Sequence, residues 1–238
     1  MPDLNDAQNL LIRAMSPSDR RILAPHFTRV SLRREEMVVS AGERVEYVNF
    51  LEEGFITVGT ADAGRRTEVG ILGREALSGF SVALGSNSMP LDVTTQTVAG
   101  SALRIHVDHL ETAIAQSSTL QTLLLQFCLT FSMQVAITAV ANIRCDLETR
   151  IARWLLMCHD RLEGDVIPLT HELIARMVGA QRTGVTQAVH LLERSGAVRA
   201  ARGRIVVMDR AKLLELVSGT YGQAESEYSR LIAPFGEH

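Results

Sequence analysis

The chain has 238 residues, 46% of them hydrophobic and 21% charged, enough apolar material to bury a core and too much for a disordered chain. Its net charge of −3 is uneven: residues 168–212 hold eight Arg or Lys against three Asp or Glu, a local +5 that leaves −8 for the rest. Such a basic module on an acidic body suits contact with phosphates at one end. Cys128, Cys145 and Cys158 are odd in number and far apart, which argues against a disulfide framework or a closed zinc site. No basic stretch leading into an apolar run opens the chain, so no secretion signal is expected and a reducing cytoplasm is the expected location.

In chain order, residues 4–25 read as one or two short amphipathic helices. Leu10, Leu11, Met15, Ile22 and Leu23 stand at helical spacings and Pro17 and Pro25 break the pattern. From about 27 to 107, short β-branched runs ("MVVSAGE", "YVNFLEEGFITVGT", "RTEVGILG", "DVTTQTVAGSALRIHV") alternate with turn residues. Closely spaced short strands of this kind predict a compact β barrel or roll. Glu53-Gly54 reads as a tight turn, and Gly42, Gly64 and Gly73 punctuate the other strands.

Residues 112–143 contain no charged side chain. A bilayer span is not expected, because Gln121, Thr122, Gln126, Thr130, Ser132, Gln134, Thr138 and Asn142 interrupt the run and no aromatic belt marks its ends. A soluble helix apolar around much of its girth must be covered on more than one side. The expected covers are the chain's own β domain and a second copy of the chain. Leu120, Leu123, Leu124, Phe127, Phe131, Gln134 and Ile137 are expected at that dimer interface. The predicted division is therefore an effector-type domain over 1–115, a central dimerisation helix over 116–145 and a second domain over 146–238.

"CDLETRIARWLLMCHDRL" opens the second domain as a helix, with Cys145 or Asp146 near its N-cap and Ile151, Trp154, Leu155 and Cys158 on its apolar face. "LTHELIARMVGAQRTGVTQAVHLLERSG" then reads as two short helices. Thr170 caps the first, Leu173, Ile174, Met177 and Val178 are its buried face, Ala175 allows close crossing and Gly179 permits a sharp turn. The second helix buries Val185, Ala188, Val189 and Leu192, leaving Gln181, Arg182, Thr183, Thr186, Gln187 and His190 outward. Arginine and glutamine near a helix N-terminus suit base edges in a major groove. "AVRAARGRIVVMD" reads as a hairpin whose Arg202 and Arg204 can grip the phosphate backbone.

The order of β roll, long helix and winged helix-turn-helix, an α+β architecture, resembles the catabolite-activator/fumarate-nitrate-regulator (CRP/FNR) superfamily of bacterial transcription factors over about residues 20–212. "AGERVEYVNFLEEGFITVG" is similar to that family's roll, which is a cyclic-nucleotide-binding-like domain, and "LTHELIARMVGAQRTGVTQAVHLLERSGAV" to its DNA-binding motif. The resemblance implies a homodimer on double-stranded DNA with a two-fold-symmetric site, touching RNA polymerase if it activates. By position, Gln181, Arg182, Thr183, Thr186 and Gln187 are expected at the bases, with Arg182 on a guanine. Thr170, Arg202 and Arg204 are expected at phosphates. Thr183 stands where many members have glutamate, and Gln187 where the best-known member has a second arginine, so the operator is expected to differ.

Cyclic-AMP-binding members hold the ribose with a Gly-Glu pair and the phosphate with an Arg followed by Ser or Thr. Aligned from "TVAGSALRI", that cassette falls on Gly79, Phe80, Pro90 and Leu91, and no Arg, Lys or His occurs from Glu75 to Leu103. An enclosed phosphate without a cation loses hydration uncompensated. Cyclic AMP is therefore not the expected effector, with Arg65, Arg66 or an arginine of a second chain as the remaining candidate cations. No cofactor and no metal site is predicted. Other sensing chemistries are weaker readings: haem on His26, His106, His109 or Pro2, and thiol oxidation at the three cysteines. The alternative function is a haem- or other small-ligand-sensing module whose winged domain recruits protein rather than DNA. An enzyme is not expected, since Asp108, His109 and Glu111 lack a nucleophile and read as a solvated strand-to-helix corner. In the tail, Tyr221, Tyr228, Leu231 and Ile232 have helical spacing and fit packing on the winged domain or against a partner.

Overall fold

The computed structural model describes residues 2–62, 65–95 and 100–236. The turn expected at Gly64 and the side chains of Arg65 and Arg66 lie outside the described residues. Two short helices, α1 (Leu10–Ala14) and α2 (Pro17–Leu23), open the chain. Asn9 and Ser16 cap them through Ile12 N–H and Asp19 N–H. Leu11, Ile12 and Leu23 are buried in the N-terminal core, whereas Ile22, expected on the apolar face, is exposed.

Seven strands build the roll: β1 (Thr28–Leu32), β2 (Met37–Val39), β3 (Tyr47–Glu53), β4 (Ile56–Asp62), β5 (Arg65–Leu72), β6 (Asp92–Thr95) and β7 (Gly100–His106). They form two antiparallel sheets, ordered β1-β7-β3 and β2-β6-β4-β5. β1 was not among the expected strands. Only Leu32 of it is fully buried, and its alternation rests on two apolar side chains, Val30 and Leu32, too short a pattern to stand out. Between β5 and β6, Phe80–Leu84 forms a short 3-10 helix.

The helix α3 (Val107–Gln116) leads into α4 (Ser118–Arg144), the expected long helix. Ser117 starts it, accepting from Leu120 N–H while donating to Asp19 Oδ1 at 2.5 Å. By length and apolarity α4 passes for a membrane span. However, Leu120, Leu124, Phe127 and Phe131 are buried in the chain's own N-terminal core, which accounts for that composition in a packed helix.

A second core begins at α5 (Leu147–His159), capped by Asp146. Around it lie β8 (Val166–Ile167), α6 (His171–Val178), α7 (Arg182–Arg194), β9 (Val198–Ala201), β10 (Arg204–Val207) and α8 (Arg210–Leu216). The small sheet runs β8-β10-β9. Phe55 and Ile71 of the roll join this second core, so the two units share an apolar contact. The tail forms α9 (Gln223–Leu231), which packs on α4. The tail therefore closes on the central helix and the N-terminal core of its own chain, not chiefly on the winged unit.

Candidate nucleic-acid interface and the groups around it

The two helices of the motif fold as their sequence dictates. Thr170 Oγ1 accepts from Leu173 N–H at 3.2 Å, which leaves the hydroxyl proton free to donate. Leu173, Ile174, Ala175, Met177 and Val178 are buried. Gly179 ends α6 at φ +64°, and its N–H and the next return to the carbonyls of the last turn, a left-handed cap that side-chain-bearing residues resist. Val185, Ala188, Val189 and Leu192 then turn inward on α7. The leading end of α7 leaves Gln181, Arg182, Thr183 and Gln187 exposed together. Arg202 and Arg204 are exposed at the tip of the β9–β10 hairpin, where Gly203 takes φ +75°. Glu193 fastens this wing to the reading helix: one carboxylate oxygen accepts from Ala200 N–H at 2.8 Å and the other faces His190 Nδ1 at 3.0 Å. Those bonds, the backbone one first, lower its pKa.

Thr186 departs from the expected set. It is only half-exposed, and its hydroxyl lies 3.0 Å from His171 Nδ1 and 3.0 Å from the Arg182 carbonyl. The hydroxyl is thus engaged within the protein. His171 was missed because a histidine at the start of a short helix has no apolar periodicity to place it.

The dimer-interface expectation needs correction. Leu120, Leu123, Leu124, Phe127, Phe131 and Gln134 are buried within the single chain, and only Ile137 is partly exposed. Gln134 Oε1 accepts from Ile71 N–H of β5 at 2.8 Å. The free side of α4 instead carries Leu125, Leu129 and Ile143, exposed by 42%, 51% and 84%. With Thr122, Ser132, Ala136 and Ala139, all exposed, they recur at alternating steps of three and four. That is the spacing of a heptad repeat.

At the expected effector cassette, Gly79 takes φ +65° and a Cβ there would lie 2.8 Å from Val45 Cγ1, so the position demands glycine without any ligand. The Phe80 ring packs against Phe131, with centroids 4.8 Å apart, and Phe127 at 6.2 Å. Pro90 is exposed and Leu91 half-exposed just before β6. The candidate haem histidines do come together, but His26 and His109 stack face to face with centroids 3.9 Å apart and His106 stands edge-on at 6.2 Å from His109. Parallel stacked imidazoles aim their in-plane lone pairs side by side, not at one iron. Among the described residues no cluster of three metal-ligating side chains occurs. Burial pushes the Cys128 thiol up to about 11 and Cys158 up to about 12, away from thiolate reactivity. Asp108, His109 and Glu111 are exposed in the first turns of α3.

A buried charge cluster, unforeseen in the sequence, joins roll, winged unit and tail. Arg161 pairs with Glu75 at 2.7 Å, donates to the Met157 carbonyl at 2.7 Å and lies over the Phe235 ring. Arg153 donates to the Thr220 carbonyl at 2.7 Å, and burial depresses its pKa to about 10. Arg210 binds Asp160 at 2.6 Å, and Tyr221 donates to the same carboxylate. Arg210 was counted in the basic module, yet its charge is neutralised internally.

Among known proteins, residues 149–216 match the family described as the Crp-like helix-turn-helix domain. No curated protein matches the sequence. Solved structures do. FixK2 from Bradyrhizobium japonicum is similar with a TM-score of 0.71 at 20% identity, over 81% of this chain and 98% of that one. A CRP/FNR-family transcriptional regulator from Thermus thermophilus gives 0.65 at 19%, over 82% and 100%. The c-di-GMP-responsive global regulator CLP from Xanthomonas campestris gives 0.63 at 16%, over 81% and 99%. Residues 149–216 are thus similar to Crp-like helix-turn-helix domains, and the whole chain has the fold seen in solved CRP/FNR-family transcriptional regulators.

Proposed function

We propose that two copies of this chain form a sequence-specific DNA-binding transcriptional regulator whose recognition helices enter successive major grooves. The observation that carries this reading is the exposure of Gln181, Arg182, Thr183 and Gln187 at the leading end of α7, with Arg202 and Arg204 exposed on the wing beside it. Arginine pairs bidentately with guanine and glutamine with adenine, while the wing and Thr170 hold phosphates. Thr186 is a supporting residue here, with its hydroxyl held by His171. The second copy pairs along Leu125, Leu129, Ala136 and Ile143 of α4, and the separation of the two reading helices follows from that seam.

The test is selection of duplexes from a random library by the full-length protein. A two-fold motif is the expected product; equal retention of all sequences overturns the reading. Arg182→Ala should then lose about 1–3 kcal/mol of discrimination at one base position in each half-site. Arg204→Ala should weaken every sequence alike and flatten the salt dependence, both read by titration of matched and mismatched duplexes.

The effector pocket is degenerate in this reading. Phe80 replaces the carboxylate that would hold a ribose and its ring sits against Phe131 and Phe127. No cation occurs from Glu75 to Leu103 to meet a cyclic phosphate. Calorimetry with millimolar cyclic AMP or cyclic GMP should give no specific heat, and a micromolar Kd for either would refute this. Any other effector acts by shifting the population between arrangements of the two reading helices.

A further inference from the structure

His171 opens α6 directly after the capping Thr170. Its Nδ1 lies 3.0 Å from Thr186 Oγ1, which in turn lies 3.0 Å from the carbonyl of Arg182. A hydroxyl has one proton and a carbonyl only accepts. Thr186 therefore donates to Arg182 and receives from His171, whose proton must sit on Nδ1. This fixes the tautomer in which Nε2 carries the lone pair. Protonation converts Nε2 to a donor and leaves the bond to Thr186 intact.

The ring stands beside a row on α7 formed by Arg182, Thr186 and His190 at helical spacing. The charged or titratable groups acting on it are His190, Arg182 and Glu193, all on α7. Partial burial, then the two basic neighbours, hold its pKa below the ordinary histidine value of 6.5, so in the free protein it is neutral near pH 7. A duplex on this face brings phosphate charge, which favours the imidazolium.

We infer that His171 is a proton-linked member of the DNA-reading face, taking up a proton as the duplex docks and donating to it from Nε2. The inference rests on the DNA-reading function proposed above. The sign follows from linkage: the pKa is lowered in the free protein and raised on DNA. The added affinity is complete below the free-protein pKa and is lost as pH rises through the DNA-bound pKa. Each unit between the two is worth up to about tenfold in affinity.

The experiment is anisotropy titration of the library-selected duplex with full-length protein at about pH 6 and about pH 8 and fixed ionic strength. Wild type should bind several-fold more tightly at the lower pH. His171→Gln, whose amide cannot titrate, should remove most of that ratio, and His190→Gln should keep it. Calorimetry in two buffers of different ionisation enthalpy should count up to about one proton taken up per copy of the chain near pH 7 by wild type and markedly fewer by His171→Gln. A purely structural role for His171 would lower affinity at both pH values without changing the ratio. Specific but pH-independent binding by wild type, or a ratio that survives in His171→Gln, overturns this inference while leaving the DNA-reading function intact. Failure to select any preferred duplex overturns both.

Discussion

Arg161→Ala should cost about 3–5 kcal/mol of unfolding free energy, the penalty for stranding a buried charge. The guanidinium and the Glu75 carboxylate are both almost fully buried, joined at 2.7 and 2.9 Å. Glu75 Oε1 has one other donor, Gly73 N–H at 3.1 Å, and Oε2 has no partner among the described residues. Phe127, Phe131 and Tyr228 line the same cavity of about 20 Å³, so the stranded carboxylate would keep these aromatic neighbours in place of its cation. Nearby Glu225, whose pKa burial already raises, would lose its chief compensating charge as well. Replacing both partners together, Glu75→Leu with Arg161→Met, should recover most of the loss, since an apolar pair of similar volume avoids desolvation. Urea denaturation of the two variants beside wild type checks this, and a cost of Arg161→Ala below about 1 kcal/mol would refute it. The pair also connects the segment after β5 to the segment after α5. Its loss should therefore let the roll and the winged unit unfold in separate steps, visible as non-coincident transitions by different probes.

The sequence made the order of units legible because each has its own periodicity. Strand-length β-branched runs, a long uncharged helix and two short amphipathic helices around Gly179 are local signals, and local chemistry decides them. What escaped was set by long-range packing. On α4, residues that pack against the roll and residues on the free side are both apolar, so composition could not assign them. The larger Leu120, Leu124, Phe127 and Phe131 went inward to the core of the roll, where Phe80 packs on the two phenylalanines. The smaller-residue heptad with Leu125, Leu129 and Ile143 remained outside. The arginines of the second domain were similarly opaque. Arg182, Arg202 and Arg204 are exposed, whereas Arg153, Arg161 and Arg210 are committed to Glu75, Asp160 and the tail. Their partners lie far away in sequence, and no spacing announces them. Thr186 was placed on the correct helix, but its bond to His171 requires knowing how α6 meets α7.

Leu129→Glu should convert the proposed dimer to a monomer and weaken binding to a two-fold site by about 10²–10⁴, the loss expected when two linked half-sites become independent. Leu129 sits mid-seam, 51% exposed on a helix with no charged residue before Arg144. In a parallel pair each such residue meets its own copy across the axis, so two carboxylates would be desolvated at close range with no cation to neutralise them. The fold of the single chain should survive, because the substituted side chain faces away from the buried residues of α4. Leu124→Ala makes the opposite test. That side chain is fully buried against the roll, so its loss should cost about 2–5 kcal/mol of stability. The seam would be untouched, and at temperatures where the variant remains folded it should still dimerise. Sedimentation equilibrium separates the two cases. A dimer that survives Leu129→Glu but is lost in folded Leu124→Ala would return the interface to the face first expected from the sequence.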